Sequence, residues 1–309
     1  MPVFVEEEGE SAFMFKKNSL NKDRYGYYFV APFFLSFFIF GLGPILYSFY
    51  LSFTSWSGFE EPVFVGLANY ERLIHDEVFY QSILNTLIIW IFSIIPQLSI
   101  ALILALVLHE KFIKGSHFFH AIFYFPNIIT PVTLGVMFAL LFDWQTGSIN
   151  KILEYIGIVD EPVNWMNDPW MARAIVALAI MFQNFGFNML VFLAGLQAIS
   201  KDLYEAAEVD GASRLQIALN ITIPLMRPVI IFTLITSVIG GLQIFDAPLM
   251  LGKGPDNSTL TMIMNLYETA FVRYDYGYGA TIAYGAFVVI ALATIITFMV
   301  PGVRNKKEV

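Results

Sequence analysis

The sequence predicts an all-α membrane protein with six spanning helices, and three observations carry that reading. The chain has 309 residues, of which 57% are hydrophobic and 17% aromatic, and its mean hydropathy is +0.67. Only 14% of its residues are charged, against about 25% in soluble domains. The charges also leave long empty stretches, at 25–59, 78–109, 115–142, 174–200, 228–245 and 276–303. Each reaches or approaches the roughly 20 residues that carry a helix across a bilayer. The short alternating segments of a transmembrane β-barrel are absent from the sequence.

Six helices follow in order. The first is placed at 29–52, after an acidic "EEEGE" and a basic "KKNSLNKDR". Its apolar run is too long for a signal-peptide core and lacks a small-residue cleavage site, so it is expected to remain in the protein. The others are placed at 82–108, 119–142, 171–196, 226–248 and 278–300. The predicted organisation is a cytoplasmic segment at 1–27, a transmembrane domain at 28–304 with its longest cytoplasmic loop at 200–225, and a tail at 305–309.

Orientation comes from the bases. With the N-terminus in the cytoplasm, the inner segments hold twelve Lys and Arg, among them Lys16, Lys17, Lys111, Lys114, Lys201, Arg214 and Arg304, and the outer segments hold five. Both termini are therefore expected inside. The net charge of −8 resides mostly in the outer loops and does not speak for nucleic acid.

Several chemistries are excluded or left without support. There are no cysteines, hence no disulfides, thiolate metal sites or cysteine nucleophiles. His117 and His120 are three apart, but no nearby carboxylate or third His completes a metal site. No G-x-x-x-x-G-K-[ST], H-E-x-x-H or G-x-S-x-G occurs. "GKGPDNST" at 252–259 follows a helix outside the membrane and reads as a turn, not a nucleotide site.

The loop between the fourth and fifth spans is unusually polar. It contains "YEAAEVDGASRLQIALNITIPLMRP" at 204–228. Asp202 followed by Glu205 suggests an N-cap with a capping-box partner and a helix beginning near Leu203. Ala206, Ala207 and Gly211 offer small side chains against which something can press. Asp210 and Arg214 are spaced to pair, and the Gln216 side chain is expected to be less constrained than its neighbours. Pro224 and Pro228 are expected to break the chain before the fifth span. The strip thus reads as helix, glycine turn, helix at the membrane surface. An ordinary solvated loop and a docking element both fit these features.

A family resemblance favours the second. Glu205-Ala206-Ala207, Gly211, Ile221, Ile223 and Pro224 reproduce the E-A-A, G, I-x-L-P signature of importer-type ABC permeases, with Ile223 replacing its Leu. "FVGLANYERL" at 64–73, "NT" at 85–86, "FYFP" at 123–126, "LAGLQAIS" at 193–200, "KGPDNST" at 253–259 and "DYGYGA" at 275–280 resemble sugar permeases of the maltose and glycerol-phosphate type, in particular the first permease of the heterodimer. The resemblance spans about 25–304 and departs from the maltose permease in its short amino terminus and lack of a large early loop.

The resemblance implies an importer-type ABC permease fold in a prokaryotic cytoplasmic membrane. It implies a second homologous permease, two ATPase subunits that carry ATP and Mg, and an extracellular sugar-binding protein. No cofactor is expected on this chain, and it is not itself expected to be an enzyme. Glu205, Ala206, Ala207, Asp210, Gly211, Ile221 and Pro224 would form the coupling element that docks on the ATPase. Polar groups inside the membrane are costly and face a cavity or a neighbour, so Gln183, Asn184, Asn188, Gln243, Asp246 and Tyr284 are the substrate-pathway candidates. Hydrogen bonding between helices is the competing explanation for each. An ion-coupled secondary transporter is the alternative function, although internal repeats and a charged relay are not evident. A purely structural membrane subunit would not need the polar strip.

Overall fold

The computed structural model describes residues 25–109 and 115–299. The expected N-terminal segment up to Arg24, the bases Lys111 and Lys114, and the tail from 300 onward lie outside the described residues. Among the described residues five helices are long and apolar enough to cross a membrane, and a sixth span exists if a sharply bent pair is counted as one.

Helix α1 (Tyr25–Leu51) is apolar and exposed along most of its length. It contains a π-helical stretch, Phe37–Leu42, immediately before Gly43-Pro44. A proline has no N–H to donate, and its ring clashes with the carbonyl four residues back. The widened turn, in which Gly43 donates to the Phe38 carbonyl five residues back, relieves that clash and lets the helix continue. A small hairpin follows, β1 (Thr54–Ser55) antiparallel to β2 (Val63–Phe64), then the short α2 (Ala68–Ile74).

Helix α3 (Glu77–His109) has 33 residues, about 50 Å, and packs along α7 (Pro169–Gln197). Asp168 caps α7, accepting from the amides of Trp170 and Met171 at 2.9 and 2.8 Å, with Pro169 in the first turn where no N–H is needed. Small residues allow the close approach expected of membrane helices. Ala101 and Ala105 of α3 are buried beside Met189, Phe192 and Leu196 of α7.

The third predicted span, 119–142, is not one helix. It divides into α4 (Ser116–Ile128) and α5 (Pro131–Leu141), bent by 91°. The sequence explains the break: Thr130 precedes a proline and takes an extended conformation, and its side chain accepts from Thr133 N at 3.3 Å to start α5. A short amphipathic helix, α6 (Ser148–Tyr155), leads towards α7.

The fifth predicted span also differs from expectation. After α8 (Lys201–Val209), helix α9 runs as a single rod over Arg214–Gly241, through Pro224 and Pro228. The prolines do not break it because a second π-helical stretch, Ala218–Thr222, precedes Pro224, and Ile223 donates to the Ala218 carbonyl. The rod stops at Gly241. Residues 242–245 form a break, and α10 (Asp246–Leu251) starts afresh. The remaining elements are α11 (Met262–Tyr267), a π-turn at Glu268–Val272, and α12 (Tyr276–Met299).

Candidate functional site

A half-open cavity of about 350 Å³, with polar groups set in a largely apolar wall, lies where α3, α7, the end of α9 and the start of α10 meet. Five of the six intramembrane candidates line it: Gln183, Asn184, Asn188, Gln243 and Asp246. Gln97 and Ser93 of α3 and Thr236 and Ser237 of α9 add further amide and hydroxyl groups, and Trp90, Phe187 and Phe245 supply aromatic surface.

The local folding of each element places these groups. The break between α4 and α5 frees the Ile129 carbonyl, and Gln183 Nε2 donates to it at 3.2 Å. In return Asn127 Nδ2 donates to the Gln183 backbone carbonyl at 3.3 Å. Asn184 Nδ2 bonds its own helix at the Ile180 carbonyl, 2.9 Å away. Gln243, in the break after α9, reaches back with Nε2 to the Ile239 carbonyl of that helix at 2.8 Å. Asn188 is buried. Gly186, between them, sits directly against the Phe123 backbone carbonyl, so α4 and α7 meet backbone to backbone there. Opposite, Gly241 leaves a notch for the Trp90 indole, whose Nε1 donates to the Ser237 carbonyl at 3.2 Å.

Neither Gln243 nor Asp246 is inside a spanning helix, as the sequence reading has them: Gln243 lies in the break after α9, and Asp246 is the first residue of α10 beyond it. Tyr284 does not line the cavity. Its Oη donates to the Ile45 carbonyl at 2.7 Å and lies 3.3 Å from Ser48 Oγ, while its ring meets Phe49 edge-on. It therefore joins α12 to α1.

The polar strip forms an exposed elbow of two helices. Ser200, not Asp202, caps α8, accepting from Asp202 N at 3.3 Å, and the helix starts at Lys201. Asp202 thus falls in the first turn, and no Asp202–Glu205 capping box forms. At the other end Gly211 N donates to the Glu208 carbonyl at 3.1 Å and Ala212 N to Ala207 at 3.0 Å, the paired bonds of a Schellman stop. Gly211 adopts φ +76°, the left-handed conformation such a stop needs. The bend is as expected, but the close approach is not found among the described residues, none of which lies within 4 Å of a Cβ built on Gly211.

Ser213 then starts α9 with a reciprocal capping box. Its Oγ accepts from Gln216 N at 3.4 Å and Gln216 Oε1 accepts from Ser213 N at 2.8 Å. Gln216 is thereby constrained, contrary to expectation, and Asp210 and Arg214 do not pair with each other. Thr222 Oγ1 donates to Tyr204 Oη at 3.3 Å and ties the two arms together. Ala207 is buried against this core, whereas Glu205, Ala206, Asp210, Gly211 and Pro224 are exposed and Ile221 half-buried. Val209 and Leu215 are also exposed on the elbow.

One polar cluster was missed by the sequence reading. Arg173, inside the predicted fourth span, donates through Nη2 to Asn85 Oδ1 and through Nε to the Ser258 carbonyl. Its partners belong to the "NT" and "KGPDNST" segments, whose resemblance to sugar permeases was the available signal. The 252–259 segment is a turn, as expected, with Gly252, Gly254, Asp256 and Asn257 all at positive φ.

The geometry defines a polytopic α-helical membrane protein with a half-open, partly polar cavity and an exposed helical elbow, the parts of a transport component. Residues 78–305 match the family described as binding-protein-dependent transport system inner membrane component, and the chain belongs to that family. It is 35% identical to the arabinooligosaccharides transport system permease protein AraP of Bacillus subtilis over 279 residues, 89% of this chain and 88% of the relative. It is 36% identical to the lactose transport system permease protein LacF of Rhizobium radiobacter, over 89% of this chain and 92% of that one. A third relative is the trehalose/maltose permease protein MalF of Thermococcus litoralis, 33% identical over 91% of this chain and 94% of that one. The fold is that of a chain in a bacterial ABC transporter involved in importing the acidic polysaccharide alginate (TM-score 0.77, 26% identity, 92% of this chain and 98% of that one). A chain of the alginate transporter crystallised with an alginate pentasaccharide-bound periplasmic protein shares it too (TM-score 0.79, 24% identity, 91% and 94%).

Proposed function

We propose that this chain forms one half of the pathway of an ABC importer and passes a sugar or oligosaccharide across the cytoplasmic membrane. The observation that carries the reading is the convergence of Gln183, Asn184, Asn188, Gln243 and Asp246 on one cavity. Amides and a carboxylate bond hydroxyl groups, and the aromatic walls suit the C–H faces of a sugar. The relatives' names, which specify arabinooligosaccharides, lactose and trehalose/maltose, support the same substrate class.

A second, homologous permease completes the pathway, and an extracellular binding protein delivers the sugar. ATP and Mg are held by two separate ATPase subunits, and both termini of this chain lie in the cytoplasm. The elbow is the docking element for the ATPase. Glu205, Ala206, Asp210 and Gly211 present its exposed rim, Ala207 anchors it, and Ile221 and Pro224 lie in and just after the π-helical stretch that joins it to the α9 rod. The exposed Val209 and Leu215 give a partner apolar surface to cover.

Reconstitution tests this reading. The chain alone in vesicles should neither hydrolyse ATP nor move sugar. With its partner permease, the ATPases and the binding protein, it should do both together. ATP-independent uptake by the isolated chain would defeat the proposal.

A further inference from the structure

One relative is named for lactose, and a structural neighbour belongs to a transporter of the acidic polysaccharide alginate, so likeness does not fix the charge of the cargo. The cavity lining does bear on it. Around its 350 Å³ stand amides, hydroxyls and aromatic rings, and among the described residues that line it Asp246 alone is ionisable. Resting on the carbohydrate reading above, we propose that this cavity takes uncharged sugars and rejects anionic ones, with Asp246 as the residue that sets the selection.

The carboxylate of Asp246 is half-buried and accepts no hydrogen bond from any described residue. A carboxylate has about four acceptor positions to fill, and a pair of neighbouring sugar hydroxyls supplies two donors without adding charge. Of the bases on adjoining elements, Arg214 and Arg227 of α9 do not line the cavity, and two nearer ones are held by partners. Arg173 is held by Asn85 and Ser258, and Lys253 Nζ lies 2.7 Å from Glu268 Oε2. Neither lines the cavity. A uronate or aldonate brought within a few ångströms of Asp246 therefore meets a like charge with no base from the described residues of this chain beside it. Even in a partly hydrated site that repulsion weakens binding roughly tenfold or more.

Trp90 supports the same assignment. Its N–H is already donated to the Ser237 carbonyl, so its contribution to the wall is ring surface, which packs against sugar C–H groups whatever the charge of the cargo. Discrimination thus falls to Asp246 and not to the aromatic wall.

The test uses the complete complex of both permeases and the ATPases in nanodiscs. The binding protein is omitted from the binding measurement because it makes its own selection. Lactose and arabinotriose serve as neutral probes, each paired with the aldonate made by oxidising its reducing end. Radiolabelled equilibrium binding is measured for the wild type, Asp246→Asn and Asp246→Lys, with ATPase activity as the control for folding. The wild type should prefer the neutral member of each pair by roughly tenfold or more, Asp246→Asn should shrink that preference to about threefold or less, and Asp246→Lys should reverse it. An equal preference in all three proteins would overturn the assignment while leaving the carbohydrate reading standing. Failure of the wild type to bind any probe, together with failure of the complex plus binding protein to import any carbohydrate, would remove both.

Discussion

Arg173 on α7 reaches Asn85 on α3, its Nη2 donating to Asn85 Oδ1 at 2.9 Å while its Nε donates to the Ser258 carbonyl at 3.0 Å. Asn85 is fully buried and passes the connection on, its Nδ2 donating to the carbonyls of Asn257 and Leu260 at 2.8 and 3.1 Å. Two side chains thereby clamp an irregular turn, with four residues at positive φ, onto the two longest helices of the described chain.

Removing one arm of that clamp leaves buried acceptors unpaired. Arg173→Leu should lower the stability of the purified chain by about 1–3 kcal/mol, read as an earlier thermal transition in detergent and faster proteolysis within 252–261. Arg173→Lys should recover only part of the loss, because an ammonium cannot present two N–H groups in a fixed fork. Unchanged melting in both variants would count against the clamp.

The elbow gives a graded series at Gly211. Left-handed backbone costs most residues about 1–2 kcal/mol but costs Asn less. Since none of the described residues lies near a Cβ at this position, Gly211→Ala and Gly211→Leu should be similarly destabilised, and Gly211→Asn less so. Uptake should separate Ala from Leu only if an ATPase surface approaches closely. Co-purification of the ATPase and uptake, measured for all three, decide whether the side chain is felt by a partner; equal uptake in Ala and Leu would place the whole effect in the backbone.

How far the sequence foretold these features depends on what each rests on. Uncharged length marked the spans, because a bilayer demands it, and intramembrane polarity marked five cavity residues. The bent third span was hidden because composition does not distinguish one helix from two that meet at 91°. Pro224 was misread for a related reason. A proline signals a missing donor, but not the widened turn at Ala218–Thr222 that accommodates it. Tyr284 carried the same polar signal as Asn188, and only its orientation towards Ile45 separates them. Asp202 was read as the cap because its side chain suits one, but Ser200, two positions earlier, has the same capacity and is the residue the helix uses.

That orientation makes Tyr284 a useful contrast. Tyr284→Phe removes the bond to the Ile45 carbonyl and should cost about 1 kcal/mol in thermal stability while leaving the apparent affinity for sugar unchanged. Asn188→Leu, at the cavity wall, should weaken sugar binding. A Tyr284→Phe protein whose sugar affinity falls as much as that of Asn188→Leu would return Tyr284 to the pathway.

Topology is directly testable with compartment-sensitive reporters. The distribution of Lys and Arg predicts a cytoplasmic signal from fusions after Val309 or near Ala212, and an external signal near Asp160. A cytoplasmic signal at Asp160 would require a different number of crossings between the elbow and the N-terminus.

The unbroken run of α9 has a mechanical consequence. Its 28 residues from Arg214 to Gly241 make a shaft about 42 Å long, with the elbow at one end and, at the other, Thr236, Ser237, Gly240 and Gly241 in the cavity wall. Had Pro224 or Pro228 severed it, a push on the elbow would be spent in bending the joint. As built, a swing of about 10° about the elbow carries the far end roughly 7 Å, comparable to the width of a sugar ring. The gearing between a small displacement at the elbow and the opening of a gate would then reside in the length of one helix.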